Sequence, residues 1–168
     1  LSRSSAASDV YKRQKIEFEN FILIGGASSS HPGKIDKKTL KQHDKKLISG
    51  RIKEYNRRKK KYEALFTAAK KKKKPIIFLT HNCPNNTKLD KIKHGPQKGK
   101  HYGSFLEKQI IRRFQPDLVI CGHIHENPGR DNIKNSIIMN AGAFMDKRYA
   151  VVDFDEDQWK VMKVRFFK

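Results

Sequence analysis

A mixed α/β fold, with parallel strands first and an antiparallel hairpin last, is what this sequence predicts, on three observations. Short apolar runs at 76–79, 118–120 and 137–139 each empty into a loop rich in Gly, Asn, Pro or His. Runs of that length bounded by turn residues read as buried strands. Between them lie segments with helical periodicity, and this alternation is the signature of strands connected in parallel. The final stretch instead alternates apolar and polar residues on either side of an acidic turn, Asp155-Glu156-Asp157, which predicts a hairpin over 149–154 and 159–167.

The elements follow in order. Residues 15–24 alternate and then run apolar (Ile16, Phe18, Phe21 to Ile24), which predicts one strand ending at Gly25-Gly26. The small-residue loop at 27–33 has no Lys-Ser/Thr ending and no full Gly-x-Gly-x-x-Gly spacing, so it reads as a turn rather than a phosphate cradle, and His31 as a loop histidine. Asp36 is a plausible N-cap. From there Leu40, Leu47, Ile48, Ile52, Tyr55, Tyr62, Leu65, Phe66 and Ala69 form one apolar stripe on a long helix, with Gly50 a candidate break. The run Lys70 to Lys74 precedes Pro75, where a helix must stop. Five lysines could grip nucleic acid, but without interleaved aromatics the solvated helix end is the better reading, and positive charge there complements the helix dipole. The strand at 76–79 leads to Thr80-His81-Asn82-Cys83-Pro84 and a long irregular loop reaching Tyr102. Loops of that length are uncommon unless functional or disordered. Its lysines (Lys88, Lys91, Lys93, Lys98, Lys100) are candidates for a substrate rim, with His94 and His101 facing solvent. Ser104-Phe105-Leu106-Glu107 is a capping box opening a helix, with Phe105, Leu106, Ile110, Ile111 and Phe114 towards the core. Gln115-Pro116-Asp117 ends it. After the strand at 118–120, Asn127-Pro128-Gly129 is a turn, and the strand at 137–139 ends on Asn140-Ala141-Gly142.

Composition bounds the function. The 168 residues suit one domain with a core of useful size. Residues 1–14, Leu1 followed by Ser-Arg-Ser-Ser-Ala-Ala-Ser-Asp-Val-Tyr-Lys-Arg-Gln, resemble an in-frame translation of a transposase adapter used in sequencing libraries. They lack the apolar centre of a signal peptide and are expected to be an artefactual leader. The domain is then 15–168, cut at its amino end. The net charge of +21, of which Arg3, Lys12 and Arg13 against Asp9 account for two, favours nucleic acid or anionic surfaces as partners. A lysine-rich surface expected from an AT-rich genome is the competing reading. Cys83 and Cys121 form no disulfide framework and lack paired metal-ligand spacing, which fits a reducing, cytoplasmic setting. No apolar run approaches the roughly 20 residues of a membrane span.

Three histidines carry the chemistry. His123 and His125 flank Ile124 just past the 118–120 strand, and residues two apart on extended backbone point to one side, so their rings are expected to converge. Gly122 leaves room for a turn. His81 lies beyond the end of another strand. A lone His-x-His is weak, but three histidines at the carboxyl edge of one sheet, where open α/β sheets keep their ligands, predict a metal site. Neutral imidazole is the commonest metal-binding side chain.

The segments Leu79-Thr80-His81-Asn82-Cys83-Pro84, Gly103-Ser104, Pro116-Asp117-Leu118-Val119-Ile120-Cys121-Gly122-His123-Ile124-His125-Glu126 and Asn140-Ala141-Gly142 together resemble the later half of a calcineurin-like metallophosphoesterase, closest to the small single-domain phosphoesterases of bacteria and archaea. The resemblance spans 15–168. It implies a four-layer α/β/β/α sandwich lacking its first strand-helix units, and a two-metal site in which His81 and His123 bind one ion and His125 the other. The ions would be Mn, Fe, Zn or Co. The other ligands in that family come from Asp-x-His, Gly-Asp-x-x-Asp and Gly-Asn-His-Asp/Glu motifs, none present in this sequence, and the histidine assisting catalysis is expected with them upstream. Where relatives read Asn-Pro-Gly-Ser, this chain has Asn140-Ala141-Gly142-Ala143. The implied activity of the intact parent is metal-dependent hydrolysis of a phosphomonoester or phosphodiester, with nucleotide or nucleic acid among the candidate substrates. This chain alone is expected to bind metal weakly and turn over negligibly. A basic nucleic-acid-binding module and a non-catalytic scaffold of the same fold are the alternatives.

Overall fold

The computed structural model describes residues 14–26, 45–155, 158 and 160–168, with side chains of the first helix described from residue 49. The expected loop at 27–33, His31, the Asp36 N-cap, Leu40, the side chains of Leu47 and Ile48, and Trp159 lie outside the described residues.

Six strands form one sheet in the order β1 (Lys15–Glu17), β2 (Ile22–Gly25), β3 (Ile76–Leu79), β4 (Leu118–Cys121), β6 (Ser136–Asn140) and β5 (Gly129–Ile133). The four in the middle run parallel, while β1 and β5 close the edges antiparallel. A separate two-stranded sheet pairs β7 (Tyr149–Phe154) with β8 (Val161–Phe167). Helices α1 (Lys45–Lys70) and α2 (Phe105–Phe114) cover one face of the large sheet.

The alternation of side chains along a strand assigns each residue to a face. Ile22, Ile24, Ile76, Phe78, Val119, Cys121 and Ile138 pack with Tyr62, Phe66 and Ala69 of α1 and Leu106, Ile110 and Ile111 of α2. Their neighbours Leu23, Ile77, Leu118, Ile120, Ile137 and Met139 point the other way, against Ala150, Val152, Phe154, Val161 and Val164 of the hairpin. A parallel sheet buried on both faces needs apolar residues at successive positions, which is why these strands read as continuous runs. Helices, large sheet and small sheet make three layers. Among the described residues no helix covers the far side of β7–β8, so the fourth layer of the expected sandwich is not among them.

Two local expectations are corrected, and one strand had no counterpart in the sequence reading. Residues 15–24 form two strands rather than one. A turn at 18–21, closed by Phe18 N–H donating to the Phe21 carbonyl at 2.9 Å and by the stacked Phe18 and Phe21 rings, folds β1 back onto β2. Polar Glu19-Asn20 at the turn outweighed the apolar pattern around it. Gly50 does not break α1, which runs through it as one helix. A single exposed glycine costs only about 1 kcal/mol relative to alanine, and a helix held by tertiary packing absorbs that. Finally, β5 was unforeseen, because Arg130-Asp131-Asn132 carries no apolar pattern. It forms as a polar edge strand because the Lys134 turn, at φ 52°, returns the chain onto β6.

The N-cap half of the capping box opens α2 as expected, with the Ser104 hydroxyl accepting from Glu107 N–H at 3.3 Å, while Ser104 N–H donates to the Cys83 carbonyl at 2.8 Å instead of to Glu107. The Glu107 carboxylate accepts the Tyr62 hydroxyl at 3.3 Å, and Tyr55 donates to Gln109 at 2.7 Å, so polar contacts as well as apolar ones fasten the two helices. No helix among the described residues is long and apolar enough to cross a membrane.

Candidate metal centre

β3 and β4 are parallel neighbours with Leu79 opposite Ile120. The ladder continues past both strands: Thr80 N–H donates to the Ile120 carbonyl at 2.9 Å and Gly122 N–H to the His81 carbonyl at 3.0 Å. His81 therefore stands opposite Gly122, and the next residue is His123. The result is a pair of imidazoles with His81 Nε2 2.9 Å from His123 Nδ1 and ring centroids 4.8 Å apart.

His123 and His125 do not lie on extended backbone, and this corrects the expectation of convergence by strand alternation. β4 ends at Cys121. Ile124 N–H donates to the Gly122 carbonyl at 2.8 Å and Asn127 N–H to the Ile124 carbonyl at 3.1 Å, so 122–127 is a tight turn. His123 sits at φ 65°, in the left-handed region. That conformation costs of order 1 kcal/mol outside glycine, and such outliers concentrate at functional sites. Among the described residues no group of three or more His, Cys, Asp or Glu side chains forms a metal cluster. The structure thus joins His81 to His123 and leaves His125, exposed on the same turn, outside that pair. His125 still acts on both electrostatically. Burial, then His123 and His125, lowers His81 below the ordinary histidine value, and burial, then His125, lowers His123.

Residues whose part in it the sequence did not indicate hold this turn. Asn140 is fully buried at the end of β6. It donates to the carbonyls of Ile124 (2.8 Å) and Asn127 (2.9 Å) and accepts Gly142 N–H at 2.9 Å, so the Asn-x-Gly turn serves as the clamp on the histidine turn. Arg148 donates to the His125 carbonyl at 3.1 Å. Beneath the histidines, the Cys83 thiol donates to the Gly122 carbonyl at 3.0 Å and lies 3.0 Å from the Cys121 sulfur.

The loop between β3 and α2 is ordered by Asp90, which is completely buried. Its carboxylate accepts backbone N–H groups of Asn86 (2.9 Å), Thr87 (2.8 Å) and Gly103 (2.9 Å), and His101 Nδ1 at 2.7 Å. Both His94 and His101 are exposed, as expected, yet each also has a carboxylate neighbour, His101 in Asp90 and His94 in Glu126 at 3.8 Å. Residues 91–101 close into a small hairpin, with Ile92 N–H donating to the Lys100 carbonyl at 2.9 Å and Gly99 N–H to the Ile92 carbonyl at 2.8 Å. This hairpin docks on the histidine turn: Glu126 accepts Lys93 N–H at 2.8 Å, and the Asn127 amide donates to the Lys91 carbonyl. Asn85-Asn86-Thr87 is the kind of polar cluster that favours turns, and it went unremarked in the sequence reading. That Asp90 would gather it with residues 101 and 103 was not legible.

Comparison with known proteins bears directly on this arrangement. The metallophosphoesterase family of the calcineurin superfamily matches residues 27–164. The chain belongs to that family. Metallophosphoesterases of this kind are generally metal-dependent phosphoester hydrolases. The protein MJ1162 of Methanocaldococcus jannaschii, described as uncharacterized, is 30% identical over 144 residues, covering 84% of this chain and 55% of that one. A solved crystal structure overlays this metallophosphoesterase chain with TM-score 0.55 at 18% identity, over 93% of this chain and 52% of the other, and supports the fold. The chain spans about half the length of these relatives.

The donor set can be tested for its fit to a metal ion. Two imidazole nitrogens bound about 2.0–2.1 Å from one ion in adjacent positions stand roughly 2.9–3.3 Å apart, and the observed separation of 2.9 Å falls in that range. Burial and neighbouring imidazoles push both rings below the ordinary histidine value, which favours the neutral form that a ligand requires. The histidine pair fits.

Proposed function

We propose that this chain carries the three-histidine part of a binuclear phosphoesterase site, His81 and His123 holding one divalent ion and His125 the other. The protein containing it hydrolyses a phosphomonoester or phosphodiester. The observation that carries the reading is the 2.9 Å approach of His81 Nε2 to His123 Nδ1 beyond the carboxyl ends of adjacent parallel strands. Family membership supports the reaction class. Divalent ions bound there, Mn, Fe, Zn or Co by the donor types, supply Lewis acidity towards phosphoryl oxygens and an activated water at neutral pH.

The chain's own residues supply the rest. Burial and the neighbouring imidazoles push His81 and His123 below the ordinary histidine value, which favours neutral rings. Asn140 and the backbone bonds of 122–127 hold the ring positions, as outer partners of metal-ligating histidines do. Arg148, anchored on the His125 carbonyl, places a guanidinium beside the turn, where its remaining N–H groups can meet a phosphoryl oxygen.

The test is calorimetric titration of the chain with Mn²⁺, alongside hydrolysis of bis(p-nitrophenyl) phosphate by the chain and by a longer protein that contains it. Weak binding that disappears in His81→Ala and His123→Ala is expected, with negligible turnover by the chain alone. In the longer protein, Mn²⁺-dependent hydrolysis falls at least a hundredfold in His123→Ala. Unchanged hydrolysis in that variant defeats the proposal. So does tight binding of two ions with full activity by the chain alone.

A further inference from the structure

The loop between β3 and α2 presents five exposed lysines, Lys88 ahead of the 91–101 hairpin and Lys91, Lys93, Lys98 and Lys100 within it. Among the described residues none of the five pairs with a carboxylate. The carboxylates nearest the loop are already engaged by its backbone. Asp90 is buried under N–H donors, Glu126 accepts Lys93 N–H, and Asp131 accepts Lys88 N–H at 2.8 Å. These bonds fix the loop against the histidine turn, and all of them are made by backbone N–H groups rather than by the lysine ammonium groups.

The lysines at the end of α1 are arranged differently. Lys72 and Lys74 lie 3.7 and 3.2 Å from the Glu17 carboxylate, and Lys70 donates to the Gln115 carbonyl. They also precede β3, whereas His81 follows it, so they occupy the opposite edge of the sheet. Of these two lysine clusters, the one without carboxylate partners is docked beside the histidines. Five separated charges exceed what the phosphate of a small ester can occupy. They suit a chain of phosphates. Tyr102, half-exposed where the hairpin returns, adds an aromatic face on which a base can stack.

We infer that the Lys88–Lys100 loop is a nucleic-acid rim, binding the phosphate backbone of a strand beside the histidine pair with Tyr102 stacking on a base, so that the ester presented to the site is a nucleic-acid phosphodiester. The substrate assignment rests on the hydrolytic reading above, while the binding assignment stands without it.

Fluorescence anisotropy of a labelled single-stranded 20-mer, titrated with NaCl, tests the rim on the full chain. Replacing all five lysines by glutamine is expected to flatten the slope of log K against log salt by about 3.5, at roughly 0.7 per charge for a single strand. Tyr102→Ala weakens DNA binding about fivefold or more and leaves inorganic polyphosphate binding unchanged. Lys71→Gln with Lys72→Gln and Lys73→Gln, at the other edge, leaves the slope as it was, and so does His123→Ala. A wild-type slope in the five-lysine variant, confirmed folded by circular dichroism, overturns the inference. Polyphosphate binding as tight as DNA binding, with no effect of Tyr102→Ala, also overturns it. Loss of the rim effect with His123 still essential for hydrolysis removes the rim alone. A retained rim with His123 dispensable removes the hydrolytic centre alone.

Discussion

Replacing Asp90 tests whether one buried carboxylate organises the loop beside the histidines. Its Oδ2 accepts the N–H groups of Asn86 and Gly103, and its Oδ1 accepts Thr87 N–H, the Thr87 hydroxyl and His101 Nδ1. In Asp90→Asn the amide nitrogen must take one of these places. At the Oδ2 position it confronts two backbone donors that cannot reverse. At the Oδ1 position it confronts one, because the hydroxyl can rotate and the imidazole can present its other tautomer. The second orientation is therefore adopted. With one buried donor deprived at about 1–3 kcal/mol, the substitution costs about that much. Asp90→Ala strips all three backbone donors and costs more, about 3–5 kcal/mol after the loop relaxes towards water. With a urea dependence of about 1–3 kcal/mol per molar, the alanine variant unfolds at least 1 M earlier. If the loop opens on its own first, hydrogen exchange reports it as lost protection at the amides of 86, 87 and 103. Alanine and asparagine variants with wild-type midpoints and wild-type protection at those amides refute the reasoning, as does an asparagine variant weaker than alanine.

Two further predictions concern the site and its floor. His81 and His123 are held below the ordinary histidine value of 6.5 by burial first and by neighbouring imidazoles next. The unfolded chain binds protons near 6.5 that the folded one refuses, so this contribution to stability is intact above that pH and declines as pH falls below it. NMR titration of the imidazole Cε1–H signals should show midpoints under 6.5 for both, with that of His81 rising in His123→Asn, and ordinary midpoints in both rings contradict the assignment. Cys83 and Cys121 are buried, and burial followed by the contact with Cys83 pushes the Cys121 thiol well above the ordinary range. Thiolate is the reactive form, so the native protein should resist Ellman's reagent until denatured, and immediate labelling of two thiols in the native state is the contrary result.

Legibility in the sequence followed the locality of each cause. The buried strands at 76–79 and 118–120 were plain because a sheet covered on both faces demands unbroken apolar runs, and the structure extends the second to Cys121. The start of α2 was plain because a cap and its helix lie within four residues. The strand β5 was hidden, since its pairing with β6 is decided by a turn and not by its own polar residues. His81, His123 and His125 could be nominated as donors, but the reason offered for the last two, extended backbone, was wrong. The left-handed conformation of His123 and the closure of 122–127 place them instead.

The sequence by itself determined the fold class, the family resemblance and the donor types, because apolar period, capping and motif spacing are properties of neighbouring residues. Tertiary structure decided which donors meet. The parallel register of β3 and β4 sets His81 against Gly122, forty-one positions apart in the chain. It decided that Asn140 clamps the histidine turn and that Asp90 gathers residues 86, 87, 101 and 103. It also separated two lysine clusters that look alike as text, pairing one with Glu17 at the far edge and leaving the other unpaired beside the histidines. Hydrogen bonds and ion pairs act over a few ångströms, and only the folded chain brings such distant residues within that reach.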